Sequence, residues 1–356
     1  MTKQTRWLFL FTIIVALALV AVLSRASDAI GHWPDSNARA TLTPGDSTDS
    51  TATPVRLALE WLHTQQLPDG SFGVSGRGSA GLTADVVYVL ALAGEDPGGP
   101  AWTVGGHSAL DALAALAPSY AARDAGQAGK VARAVALAGG DPYHFAGLDL
   151  VSVIQAAYDS STGRYHPTLL FRHTMAVEGL LRAGVAVPPE ALAALFQAQL
   201  PDGGWFWAFD SQAGESDVDT TGRVLQVLAE HAGVRCAAAY ARAAAYLAAG
   251  QLDSGGWGVY AGKAPANANS TALAVTGLRA TGYDPESSTF QKGGRGALET
   301  LLTFQEPSGA FVYVRQPGLE ESRLVATVDA LVALMQRQRD MPACRPGYLP
   351  LLQARD

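Results

Sequence analysis

One short pattern recurs four times along the chain in a single register: glutamine, two residues, Asp or Ser, glycine, a small residue and an aromatic ring. The copies are Gln66-Leu-Pro-Asp69-Gly70-Ser-Phe72, Gln199-Leu-Pro-Asp202-Gly203-Gly-Trp205, Gln251-Leu-Asp-Ser254-Gly255-Gly-Trp257 and Gln305-Glu-Pro-Ser308-Gly309-Ala-Phe311. A worn fifth copy is Asp159-Ser-Ser-Thr162-Gly163-Arg-Tyr165. Self-similarity of this kind marks a stacked repeat, in which one unit cannot bury its apolar face alone and its neighbours complete the core. Each copy follows an Ala/Leu-rich segment of helical spacing, such as residues 58–65 or 190–197, and precedes another. The unit is therefore helix, turn, helix. Glycine ends the first helix because it tolerates positive φ, the glutamine can bond backbone groups left open at a helix end, and the ring can stack on its neighbour.

Helix pairs fall at residues 58–97, 107–145, 148–188, 189–236, 237–285 and 293–334, the second recognised by helical pattern alone. Six pairs close a ring, so the spacing predicts an all-α fold, an α6/α6 toroid with an inner and an outer barrel. Second helices such as 174–181 and 271–278 read as apolar nearly all round, as an inner barrel packed on both sides requires, and the first helices carry the charge. Of 356 residues, 48% are hydrophobic and 16% charged, enough to bury one large core or two modest ones. The formal charge of -7 sets nucleic acid aside, because a phosphate-binding surface gains from a basic excess.

Trp7 to Leu23 is an unbroken apolar run preceded by Lys3 and Arg6, the charge order of a secretory signal or an uncleaved anchor. Ser24-Arg25-Ala26 offers small residues for cleavage, and both outcomes predict an extracytoplasmic protein, either membrane-anchored or secreted. The expected organisation is a signal or anchor at 1–26, a Ser/Thr/Pro-rich linker at 27–54, the repeat toroid at 55–340 and a tail at 341–356. Cys236 and Cys344 are the two cysteines, and export leaves a disulfide between them open.

The four turns resemble the QW motifs of squalene and terpene cyclases. The six-pair count matches the toroid those enzymes share with the β subunits of protein prenyltransferases. The resemblance covers about residues 55–340, and it implies a fold and not an activity.

In such a ring the inner-helix starts surround one mouth of a central cavity, with open N–H groups and positive dipole ends facing inward. The polar clusters fall there: Thr83 and Asp85, Arg172 and His173, Asp217 with Asp219, Thr220 and Thr221, Asn267 with Asn269, Ser270 and Thr271, and Ser322-Arg323. Asp, Asn, Ser and Thr are the preferred N-caps, so capping explains one side chain per helix. Asp217 plus Asp219, and Asn267 plus Asn269, supply two each, and the surplus favours a lined site. Trp207, Tyr260 and Tyr313, just past the turns, are candidate ligand walls.

Three uses of the mouth follow. Asp217-Val-Asp219-Thr220-Thr221 is similar to the acid motif of class II terpene cyclases, which implies Asp219 as the proton donor to an isoprene double bond and Asp217 as its tuning neighbour. Such enzymes usually enclose their substrate between two helical domains, whereas these repeats supply one. The same helix start is also similar to that of the cobalamin carriers intrinsic factor and transcobalamin, which implies a corrinoid held by Asp85, Asp219, Asn269 and Gln226. A prenyltransferase-like zinc site is not expected, since neither cysteine has a histidine at ligand spacing. The favoured reading is a toroid that binds a hydrophobic or corrinoid small molecule at the mouth, with no cofactor or metal and with the membrane met through the N-terminal segment. Terpene cyclase-like catalysis and a protein-interaction module are the alternatives.

Overall fold

The computed structural model describes residues 51–210, 214–230, 238–315 and 323–338. The described residues contain outer helices α1 (Ala52–Thr64), α3 (Ala109–Ala121), α5 (Leu150–Ala156), α7 (Pro189–Gln197), α9 (Ala238–Gly250) and α11 (Ala297–Thr303). They alternate with inner helices α2 (Ala80–Leu92), α4 (Ala125–Leu137), α6 (Leu170–Arg182), α8 (Val218–Glu230), α10 (Ala268–Ala280) and α12 (Arg323–Met335). Each inner helix packs on the next, and α12 returns to α2. This is the six-pair toroid that the repeats predict. Strand pairing among the described residues is confined to two short hairpins, 73–74 with 77–78 and 103–104 with 107–108, and to isolated bridges.

The repeated turn explains the ring. Gln66 donates from Nε2 to Gly70 O (3.0 Å) and to Trp102 O (2.8 Å), so one bond closes its own turn and the other reaches the next outer unit. Gln199 does the same with Gly203 and Ala239, and Gln251 with Gly255 and Phe290. Gln305 donates to Gly309 O (3.1 Å) and to Pro54 O (2.8 Å), which ties the sixth repeat to the first. The motif glycine is required twice over. Gly309 has φ +94°, and a Cβ there would lie 2.0 Å from Leu57 O of α1.

The aromatic residue of each turn is fixed from the inner helix. The N–H groups of Phe72, Trp205, Trp257 and Phe311 donate to the hydroxyls of Thr83, Thr221, Thr271 and Thr327, at 2.9–3.1 Å. In the worn third copy His173 replaces the threonine, and its Nδ1 accepts from Tyr165 N–H at 3.1 Å. The rings of Phe72, Trp205, Trp257 and Phe311 are fully buried, and the indole N–H groups of Trp205 and Trp257 donate to Leu195 O and Leu247 O.

The second repeat closes without the motif. Asp124 caps α4 by accepting from Gln127 N–H at 2.9 Å, and Gly126, Gly129 and Gly179 let α4 and α6 approach backbone to backbone. A Cβ on Gly129 would lie 2.2 Å from Met175 O.

The apolar run at 7–23, the linker up to residue 50, Cys236, Cys344 and the tail lie outside the described residues. No helix among the described residues is long and apolar enough to cross a membrane.

Candidate functional site

The inner-helix starts divide into groups that serve the scaffold and groups that do not. Asp217 Oδ1 accepts from Thr220 N–H at 2.6 Å, and Asn267 Oδ1 accepts from Ser270 N–H at 2.8 Å, so these two residues are N-caps. Thr221 donates to Asp217 O (2.7 Å) and holds the Trp205 turn. His173 accepts at Nδ1 and so carries its proton on Nε2, which faces Ala191 O at 2.9 Å. Burial lowers its pKa to about 4, so it stays neutral. Thr220, Thr221, His173, Asn267 and Ser270 are at most 2% exposed, whereas the sequence reading placed all five on the ligand-facing rim. Their polar groups bond the scaffold instead. Arg172 bonds the Tyr120 hydroxyl where α3 meets α4, and α2 is capped by Ser79 rather than by Thr83.

Asp219 and Asn269, the surplus members of the two clusters, behave differently. Each stands at the second position of its helix, α8 or α10, one residue beyond the point the cap satisfies. Asn269 Nδ2 donates to Asp329 Oδ2 at 2.7 Å, which fixes its amide and leaves Oδ1 as an unpartnered acceptor. The Ser270 side chain bonds Asp219, whose Oδ1 is likewise buried without a partner.

Below them runs a chain of charges, and here the expectation of inner helices apolar all round fails. Asp85 on α2 pairs with Lys130 (2.5 Å) and Arg133 (2.9 Å) on α4. Arg133 holds both oxygens of Glu178 on α6, at 3.0 and 3.1 Å. Glu178 also faces Arg223 on α8 at 3.8 Å, and Arg182 pairs with Glu230 at the far end of the same two helices. On α8 the polar residues Asp219, Arg223, Gln226 and Glu230 follow the i, i+4, i+7, i+11 spacing of one helix face, and at about 1.5 Å per residue they descend roughly 16 Å into the barrel.

The side chains of Asp85, Lys130 and Arg223 stand mid-helix in a ring of packed helices, yet they keep 16%, 18% and 13% of their exposure. Leu90 and Leu225 on the same helices keep none. A filled core would close over both sets, so the charged stripe lines an open lumen. Asp329 on α12 interacts electrostatically with Arg223 on α8 and with Asp85 on α2, as facing groups around such a lumen do.

Burial raises the carboxyls of Asp219 and Asp329 to about 6 each, against the pull of Arg223 and of their Ser270 and Asn269 bonds. Burial also pushes Glu178 up, but Arg133, Arg223 and Arg182 overcome it and hold its carboxyl below the ordinary value.

The rim is aromatic. The segment after each turn crosses the start of the preceding inner helix: Trp207 O accepts from Phe171 N–H, Val259 O from Val218 N–H, and Tyr313 O from Ala268 N–H. Trp207 is 48% and Tyr260 37% exposed, and the Tyr313 ring lies within electrostatic reach of Asp219. Among the described residues no group of His, Cys, Asp and Glu is arranged to hold a metal ion.

No described family and no curated protein sequence matches the chain. Solved structures do. The type II terpene cyclase MstE from Scytonema superposes with a TM-score of 0.54 at 15% identity, covering 80% of this chain and 97% of that one. A protein from Actinoplanes superposes with a TM-score of 0.56 at 17% identity over 80% and 98%. The chain has the α/α-toroid fold of the type II terpene cyclases. A polysaccharide lyase shares the toroid, with a TM-score of 0.53 at 14% identity over 81% and 97% of the two chains. Since one toroid spans nearly all of MstE, the single helical domain does not separate this chain from the cyclases, as the sequence reading supposed.

Proposed function

We propose that this toroid, exported by its N-terminal apolar segment, takes a small molecule into the mouth of its inner barrel. There it bonds the ligand's donor groups through Asp219 and Asn269 beneath the Trp207, Tyr260 and Tyr313 rim. The observation that carries this reading is the lumen itself: charged side chains halfway down the inner helices retain solvent access, while unpartnered acceptors stand at its entrance. Buried polar groups cost free energy unless paired, so a lumen lined this way favours a ligand with complementary hydrogen-bonding groups over a bare hydrocarbon.

The test is a thermal-shift panel of corrinoids, polyprenyl compounds and oligosaccharides on the full chain, because a ligand of the native state raises the midpoint by mass action. A shift lost in Asp219→Asn and Asn269→Ala supports the mouth. A shift that both variants retain moves the site elsewhere.

Cyclase-like catalysis is the second reading, favoured by the burial that keeps Asp219 partly protonated near neutrality. The lumen weighs against it, since Arg223, Arg133 and Lys130 would repel the carbocation that protonation creates. If it holds, polyprenyl substrates yield cyclised product, and Asp219→Asn abolishes turnover rather than weakening binding.

A further inference from the structure

The acceptors at the mouth require a donor, and the charge around them narrows which donor it is. Among the described residues, the carboxylates of Asp85, Glu178, Asp219 and Asp329 line the lumen against the cations Lys130, Arg133 and Arg223. Arg182 and Glu230 form a balanced pair below. The cations are also placed unevenly. Lys130 and Arg133 are bound to Asp85 and Glu178 on the α2, α4 and α6 side, which leaves Arg223 facing both Asp219 and Asp329.

Asn269 is 91% buried in the complementary sense of its 9% exposure, and its Oδ1 is unpartnered beside the equally unpartnered Asp219 Oδ1. Vicinal hydroxyls could donate to both oxygens, but they would leave the excess negative charge in place. An ammonium group donates to both and supplies the missing cation. The rim already seats one ammonium in this manner: Lys263 Nζ lies 5.1 Å from the centre of the Tyr260 ring while pairing with Glu215.

We propose that the ligand enters amine first, its protonated primary amine seated between Asp219 Oδ1 and Asn269 Oδ1 beside the Tyr313 ring. This rests on the mouth being a binding site, and it adds the chemical class of what binds there. Uptake is then linked to protons. The groups facing Asp219 are Arg223 on its own helix, the Asp217 cap, Ser270 on α10, Asp329 on α12 and Tyr313 from the last turn. A cation added to this set favours the ionised carboxyl, so binding near pH 6 releases a proton.

The probes are benzylamine, benzyl alcohol and benzoate, matched in size and different in charge, each added to the full chain at about 10 mM near pH 7.5 while its thermal midpoint is followed. Benzylamine is expected to raise the midpoint and the other two to leave it unchanged. Asp219→Asn, which keeps the Asp217 cap, should lose the amine's effect while retaining its helical circular dichroism. Calorimetric titration near pH 6 in two buffers of different ionisation heat should show proton release with benzylamine. Equal shifts from the amine and the alcohol would overturn the amine class and leave the mouth as a site for neutral donors. Three inert probes alongside an Asp219-dependent shift from the earlier panel would overturn it too. Inert probes with no shift anywhere in that panel would remove both proposals.

Discussion

Asp329 stands in the middle of the barrel with Asn269 as its hydrogen-bond donor, and burial holds its carboxyl at about 6. An unfolded aspartate titrates near 4, so between about pH 4 and 6 the folded chain binds a proton that the unfolded chain does not. Stability from this group therefore rises as pH falls through 6 and is complete below about 4; at neutral pH the ionised carboxyl opposes folding. Asp329→Asn imitates the protonated form and can still accept from Asn269. It is expected to raise stability by on the order of 2 kcal/mol near pH 7.5 and to make little difference near pH 4, measured by urea unfolding at both values. Equal effects at the two pH values would mean that the substitution acts through packing. Sequence alone exposed part of this site. The surplus of Asp219 over the Asp217 cap, and of Asn269 over Asn267, was legible because a helix start needs one cap. Asp329, Arg133, Glu178 and Arg223 were not, because each is a lone charge inside an apolar run. The polar spacing down α8 was the signal that could have revealed the lumen face.

The inner helices meet through glycine. A Cβ on Gly222 of α8 would lie 2.2 Å from Leu273 O on α10, and one on Gly277 would lie 2.7 Å from Gly222 O. Alanine at either position gains up to about 1 kcal/mol in helix propensity but drives two backbones apart, an overpacking cost of roughly 1–3 kcal/mol. Gly222→Ala is expected to lower the urea midpoint and, by separating Asp219 from Asn269, to weaken any ligand that bridges them. A variant at or above wild-type stability would show that α8 and α10 can part without cost. The helix pairs themselves were readable because turn chemistry punctuates them, with a glycine that must take positive φ and a glutamine that must find two carbonyls. The approach of α4 to α6 and of α8 to α10 was not, since a glycine inside a helix looks the same in sequence whether it faces solvent or a neighbouring backbone.

Around the whole toroid one bond type is used both between neighbours and across the closure. Gln199 joins the fourth repeat to the fifth, which follows it in the chain, whereas Gln305 joins the sixth to the first, 251 residues away. The contacts that hold this seam are Gln305 to Pro54 O, Gly309 against Leu57, and α12 packed on α1 and α2. Beside it lies a cavity of about 400 Å³ lined by Val55, Leu92, Leu298, Leu334 and Arg279, so the seam has less packing to fall back on than an internal junction. Removing either glutamine side chain loses two hydrogen bonds, a cost of about 1–3 kcal/mol. The consequence should nevertheless differ in place. Where the chain runs on from one repeat to the next, covalent continuity keeps the partners together; at the seam only noncovalent contacts do. Gln305→Ala is therefore expected to release α1 in local opening, with its amides exchanging hydrogen faster while those of α8 keep their protection, and Gln199→Ala should loosen α9 much less. Equal loss of protection around the ring in both variants would mean that the toroid opens only as one cooperative unit, and that closure at Pro54 adds no stability beyond its two bonds.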